Sequence, residues 1–116
     1  MNALVQHQKV DPVVRTNLDF KLDDIPRFWF GEDPFRTRIF DALSLTFPEG
    51  ERYFIESVRL FRDKIEDPEL QQKVKDFIRQ EAQHGIAHDK MNQIMKEQGM
   101  PVDQFTARLK KIFRFE

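Results

Sequence analysis

The 116-residue sequence predicts an all-α fold in which two long antiparallel helices pack against each other. Apolar side chains recur at alternating intervals of four and three residues, which is the spacing of helices packed side by side. Two Asp-Pro pairs, beginning at Asp33 and Asp67, combine an N-cap with proline in the first helical turn. No stretch shows the two-residue alternation of a half-buried strand.

The first helical region is predicted to begin at Asp33. A short helix should reach about Thr46, and Pro48 should then restart or kink it, because proline removes one backbone hydrogen bond. The continuation should end near Ile65. In that interpretation Glu49 is an acid in the first turn of a restarted helix.

The second long helix is predicted to run from Asp67 to Gln98, where Gly99 and Pro101 end it. A last helix should begin near Val102 and reach the end of the chain with no stop signal. These elements predict a single helical domain over residues 18–116, preceded by a flexible arm over residues 1–17. The aromatic segment 18–35 is either a loop packed over the end of the bundle or the wall of a substrate pocket.

Composition restricts the chemistry of the chain. Cysteine is absent, which excludes disulfides, thiolate metal sites and cysteine nucleophiles. The formal net charge of −1 argues against a nucleic-acid-binding surface. No apolar run approaches the roughly 18 residues of a membrane span, and residues 1–10 lack the features of a signal peptide. We therefore expect a cytoplasmic protein that acts on a small molecule and binds metal only through His and carboxylate.

Four polar residues interrupt the apolar seam between the two long helices. The seam positions are Phe47, Glu51, Phe54, Val58, Phe61 and Ile65 in the first helix, and Leu70, Val74, Phe77, Glu81, His84, His88, Met91 and Met95 in the second. Counting outward from the connection places Glu51 opposite His84. The sequence therefore gathers Glu51, Glu81, His84 and His88 at one level of the seam.

Burial of two carboxylates and two imidazoles costs several kcal/mol unless they are paired or bind a cation. Glu81 and His84 form a Glu-x-x-His pair on one helix face, and Glu51 supplies a lone carboxylate, as in di-iron and di-manganese bundles. His88 adds a third nitrogen or acts as a catalytic acid–base group. We expect a divalent metal, iron before manganese or zinc. The alternative is a buried ion-pair network that binds no metal.

At these residues the sequence resembles the bacterial "predicted metal-dependent hydrolase" family, which is ferritin-like and helical. The resemblance covers about residues 12 to 105 and implies Glu51, Glu81, His84 and His88 as metal ligands. The residues that carry it are, in order, Ile25-Pro26-Arg27, Trp29, Ala42-Leu43-Ser44, Phe47-Pro48-Glu49-Gly50-Glu51, Phe54, Asp67-Pro68, Leu70, Phe77 to His84, His88 and Asn92. Asn92 is expected to be exposed, with a contact behind the metal ligands as the alternative.

The resemblance implies a ferritin-like partial bundle, because family members are usually much longer and carry further ligands in their second half. The resemblance therefore implies either a missing C-terminal half or a homodimer in which each copy gives half the site. The end of the chain at Phe113 to Glu116, inside a helical pattern, favours a fragment or a truncated gene product. The implied function is metal-dependent hydrolysis. Two alternatives stay open: an O₂-activating di-iron oxidase or oxygenase, and a non-enzymatic helical oligomerisation module.

Overall fold

A computed structural model of the chain describes residues 11–113. Three α-helices account for 69% of these residues, and no strand occurs among them, so the predicted all-α class is confirmed. The helices are α1 (Pro34–Arg62), α2 (Pro68–Glu97) and α3 (Val102–Phe113). Most of the predicted flexible arm, including His7, lies outside the described residues, as do residues 114–116.

Both long helices begin at the Asp-Pro pairs. The carboxylate of Asp33 accepts hydrogen bonds from the backbone N–H groups of Phe35 and Arg36. The carboxylate of Asp67 likewise accepts from the first turn of α2, at 2.8 Å from the backbone nitrogen of Glu69. Each cap satisfies N–H groups that have no partner within the helix. The predicted helix starts are therefore confirmed.

The predicted break at Pro48 is wrong, because α1 continues through it as one 29-residue helix. Proline cannot donate to the carbonyl four residues earlier, which here belongs to Ser44. The Nδ2 group of Asn92 on α2 donates to that carbonyl at 3.2 Å. The neighbouring helix thus replaces the bond that Pro48 cannot make, and α1 has no need to end there.

The same correction applies to Glu49, which lies inside α1 and not at a helix start. Its side chain is about 10% exposed, and its Oε1 lies 2.8 Å from Arg52 Nη1 and 4.0 Å from Lys110 Nζ. Glu49 is therefore a partly shielded acid between α1 and α3, held by two cations and not by a helix N-terminus.

The fully buried apolar core is small and lies where all three helices meet. Leu45, Met95 and Val102 are its buried members, one from each helix. Toward the connection between α1 and α2 the predicted seam opens, and Phe54 and Phe61 are 53% and 59% exposed. The seam therefore buries its apolar residues at one end and leaves them accessible at the other.

The segment before α1 folds back onto that helix through a buried carboxylate. Asp41 is fully buried; its Oδ1 accepts from Trp29 Nε1–H at 2.9 Å and its Oδ2 pairs with Arg38. Beside it, buried Thr37 accepts from the backbone N–H of Phe30 at 3.2 Å. These contacts hold the aromatic segment against the side of α1.

Residues 11–17 run beside α2. The backbone N–H of Arg15 donates to Gln80 Oε1 at 2.8 Å, and Asp11 lies 3.6 Å from Lys73 Nζ. The division into an arm over residues 1–17 and a domain over residues 18–116 stays a prediction. Within the described part of the chain, no helix combines the length and apolar character needed to cross a membrane.

Substitution Asp41→Ala should lower the free energy of unfolding by about 2–3 kcal/mol, because it leaves Trp29 Nε1–H and Arg38 without their acceptor. Urea denaturation followed by circular dichroism measures this change. Asp63→Ala is the control, since the Asp63 side chain is 86% exposed and pairs only with Arg62. That control should change stability by less than about 0.5 kcal/mol. Equal effects of the two substitutions would contradict the anchoring role of Asp41.

Candidate metal centre

The structure brings Glu51 of α1 together with His84 and His88 of α2. One ligand atom from each residue can be chosen so that all three lie within 4.8 Å of one another. Glu51 Oε1 is 2.7 Å from His84 Nδ1, and the Nε2 atoms of His84 and His88 are 3.0 Å apart. The predicted register, with Glu51 opposite His84, is therefore the register of the fold.

Glu51 is the most constrained of the three residues. Its side chain is 6% exposed, and neither carboxylate oxygen has a hydrogen-bond partner among the described residues. The short contact with His84 lacks the alignment of a hydrogen bond. Burial, followed by the charges of Glu81 and Asp89, raises the pKa of Glu51 to about 7. A buried, unpartnered carboxylate of this kind is costly in its ionised form.

A divalent cation fits this group of donors. It would hold the Glu51 carboxylate ionised and bind the imidazoles in their neutral form, which removes the cost of burial. One carboxylate oxygen with two imidazole nitrogens suits Fe²⁺, Mn²⁺ or Zn²⁺. The two short contacts reach different nitrogens of His84, Nδ1 toward Glu51 and Nε2 toward His88, and one ligand atom from each residue lies within 4.8 Å of the other two.

Gly85 makes room for the Glu51 carboxylate. A Cβ atom at position 85 would lie 3.0 Å from Glu51 Oε2, tighter than an ordinary van der Waals contact. Glycine inside a helix costs about 1 kcal/mol relative to alanine, so its place in the middle of α2 needs a reason. Close approach of the Glu51 side chain to the α2 backbone supplies that reason.

A chain of hydrogen bonds fixes the orientation of His88. The amide of Asn92 donates to the Ser44 carbonyl, so its Oδ1 is left to accept from the Ser44 hydroxyl at 2.9 Å. The hydroxyl proton is then committed, and Ser44 Oγ must accept from His88 Nδ1–H at 2.9 Å. The proton of neutral His88 therefore sits on Nδ1, and Nε2 presents a lone pair to the centre.

The surroundings of His88 favour its neutral form. Burial, and to a smaller extent the neighbouring His84, lower the pKa of His88 below its usual value. Phe47 packs against the two imidazoles, with ring centroids 4.7 Å from His88 and 6.0 Å from His84. The imidazole of His88 is thus uncharged near pH 7, as a metal ligand requires.

Glu81 stands apart from the three converging residues. It is partly buried on α2, and it lines a pocket with Glu51, Gly85 and Asp89 that includes neither histidine. Its charge acts on Glu51 by raising the pKa of that carboxyl group. The role of Glu81 as a fourth ligand stays a prediction.

Sequence reasoning missed the residues behind the centre. Asn92 was expected to be exposed, but its exposed fraction is 7%. It accepts a hydrogen bond from Ser44, whose exposed fraction is 6%. The seam pattern contained the signal, because Ser44 lies three residues before Phe47 and Asn92 four residues after His88. Gly85, four residues after Glu81, carried no sequence signal beyond its place inside a helix.

Substitution Gly85→Ala should weaken divalent-metal binding about tenfold or more, because its methyl group displaces the Glu51 carboxylate. Titration of metal-free protein with Mn²⁺, followed by electron paramagnetic resonance, measures the affinity. Gly50→Ala is the matched control inside α1, where a Cβ atom meets open space. It should raise stability by about 0.5–1 kcal/mol and leave the affinity unchanged. Equal metal affinities of the two variants would contradict the role of Gly85 in making room for the Glu51 carboxylate.

Substitution Ser44→Ala should lower metal affinity about 10–100-fold, because His88 Nδ1–H loses the acceptor that fixes its tautomer. The same Mn²⁺ titration applies. Ser57→Ala serves as control, since the Ser57 hydroxyl donates only to the Tyr53 carbonyl within α1. An affinity of Ser44→Ala equal to that of the Ser57→Ala protein would contradict the role of Ser44 in fixing the His88 tautomer.

One of three comparisons with known proteins gives a match. No curated protein and no solved structure gives a significant match to the chain. A family model described as "Predicted metal-dependent hydrolase" matches residues 14–116, a range that includes all three helices and every residue of the centre. The chain therefore belongs to the predicted metal-dependent hydrolase family.

Proposed function

We propose that the protein is a metal-dependent hydrolase whose metal is held by Glu51, His84 and His88. One observation supports this above the others: both oxygens of the buried Glu51 carboxylate lack hydrogen-bond partners among the described residues, although two imidazoles lie beside it. A protein that stabilised Glu51 by pairing alone would align a donor with it. A site for a cation leaves its oxygens free.

Within this proposal iron is the preferred metal, with manganese or zinc as alternatives, and Glu81 is the fourth ligand. A bound divalent ion would supply the Lewis acidity that lowers the pKa of water and polarises a substrate carbonyl or phosphoryl oxygen. Glu51 contributes negative charge, and the Phe47 ring packs against both imidazoles. A substrate can reach the centre beside His84, because the side chain of His84 is 49% exposed.

Both nitrogens of His88 have a hydrogen-bond partner: Nδ1 contacts Ser44, and Nε2 lies 3.0 Å from His84 Nε2. Ser44 occupies Nδ1, so only Nε2 can bind the metal or exchange a proton with a substrate. As a ligand, His88 completes the three-residue group. As a catalytic acid–base group, it leaves Glu51 and His84 to hold the metal with Glu81. We assign His88 to the metal, because its lowered pKa disfavours the protonated form that a general acid needs.

We also propose that the bundle is ferritin-like and that further helices, from a second copy or from additional chain, complete it. Support comes from Phe54, Phe61, Leu70 and Phe77, which are 36–59% exposed on the seam side of α1 and α2. Apolar side chains arranged in this way are usually covered. A second ligand set from such helices would make a two-metal site, whether for hydrolysis or for O₂ activation.

The purified full-length protein should contain about one equivalent of divalent metal per site, as measured by mass spectrometry of elements. Glu51→Gln and His84→Ala should lower the affinity by at least roughly 100-fold, because each removes a ligand. Glu81→Ala should lower it at least about tenfold, as the loss of a fourth ligand requires, and a smaller change would show that Glu81 acts only through its charge.

Glu56→Gln, in the same helix, is the matched control for Glu51→Gln and should retain the metal. Retention of the metal by the Glu51→Gln and His84→Ala proteins, or its absence from the folded wild type, would overturn the proposal in favour of a buried ion-pair network. Assays with chromogenic carboxylic and phosphate esters then identify the reaction, and metal-dependent O₂ consumption without hydrolysis would favour the oxidase alternative.

A further inference from the structure

An open apolar groove lies beside the candidate metal centre. Its volume is about 520 Å³, within the roughly 300–1,000 Å³ of small-molecule sites. Three walls enclose it: the segment before α1 contributes Leu22 and Trp29, α1 contributes Leu43 and Phe47, and α2 contributes Met91. His84 and His88 form the end that meets the centre.

The lining of the groove is apolar apart from those two imidazoles and Ser44. No Lys, Arg, Asp or Glu lines it within the described part of the chain. Trp29 turns its Nε1–H away to the buried carboxylate of Asp41, so the indole offers apolar surface to the groove. Ser44 is the remaining polar residue, and its hydroxyl is bonded to Asn92 and His88. The groove therefore has one polar end and no counter-charge for an ionised ligand.

The concave shape favours a small molecule over a second copy of the chain. Residues 20–29 form one wall of the groove, and the hydrogen bond from Trp29 to Asp41 holds them there. This segment does not line the exposed apolar faces around Phe54 and Phe61. A packed helix from another copy would have to displace this anchored segment. The groove thus has the depth of a ligand site, and the remaining exposed face has the form of a helix-packing surface.

We propose that this groove binds the hydrocarbon part of a small, uncharged carboxylic ester and directs its carbonyl to His84 and His88. This inference rests on the proposed function for the reaction, but the binding itself needs only the groove. In the hydrolysis, the oxygen of water bonds to the acyl carbon, the bond from that carbon to the alkoxy oxygen breaks, and the alcohol leaves with a proton. The products are a carboxylic acid and an alcohol.

The single tryptophan makes the test direct, because Trp29 is part of the wall. Methyl octanoate should produce a saturable change in Trp29 fluorescence in both metal-free and metal-loaded full-length protein. In the metal-free protein, octanoate should bind about tenfold or more weakly, since the groove would have to bury an unpaired charge. Equal binding of the two ligands, or no saturable change with the ester, would overturn the inference.

Leu43→Lys should weaken ester binding about tenfold or more, because it places a charge in the apolar wall. Leu43 is 45% exposed, so the variant should fold, as circular dichroism can verify. Leu60→Lys is the matched control: it lies on the same helix, outside the groove, and is 74% exposed. A second variant, Ala87→Phe, fills the groove without adding charge and should also reduce binding.

The outcomes separate this inference from the proposed function. Saturable ester binding by a protein that binds no metal would refute the hydrolase proposal and leave the groove intact. Metal binding without ester binding, or with cleavage of polar esters alone, would refute the inference that the groove binds an apolar ester. Sedimentation distinguishes the remaining occupant: if Leu43→Lys converts a dimer into monomers while Leu60→Lys does not, a second copy fills the groove and the inference is wrong.

Discussion

The hydrogen bond from Asn92 to the Ser44 carbonyl connects the fold of this protein to its candidate centre. Pro48 has no N–H to donate to that carbonyl, and Asn92 on α2 donates to it instead. That bond orients the Asn92 amide, so the amide oxygen accepts a hydrogen bond from the Ser44 hydroxyl. The Ser44 oxygen then accepts from His88 Nδ1–H, which fixes the tautomer of His88. A departure from regular helical bonding in α1 thus determines which nitrogen of His88 carries the proton.

The protein groups around Glu51 leave its ionised carboxylate without a stabilising partner among the described residues. Burial and the nearby acids make the ionised form of Glu51 unfavourable, and the two histidines offer it no aligned donor. Gly85 nevertheless keeps open the space into which the carboxylate fits. Such an arrangement costs stability, which supports the proposed binding of a cation beside Glu51.

The sequence predicted the class of fold, the helix starts and the register of the centre, because each depends on local or periodic signals. Asp33 and Asp67 cap helices through bonds that span three residues, and the seam spacing places Glu51 opposite His84. The continuity of α1 through Pro48 could not be predicted in this way, since it depends on a partner 44 positions further along the chain. The burial of Asn92 was missed for the same reason, because tertiary contacts override local preference.

The small core has a consequence for the protein in the cell. The described residues include three buried apolar side chains, one from each helix, and any ligand that binds only the folded state adds to the stability of so small a core. A ligand at 100 times its dissociation constant adds about 2.7 kcal/mol, which lowers the unfolded fraction about a hundredfold. Occupancy of the centre would then control how fast proteases remove the chain, so the abundance of the protein would follow the supply of its ligand.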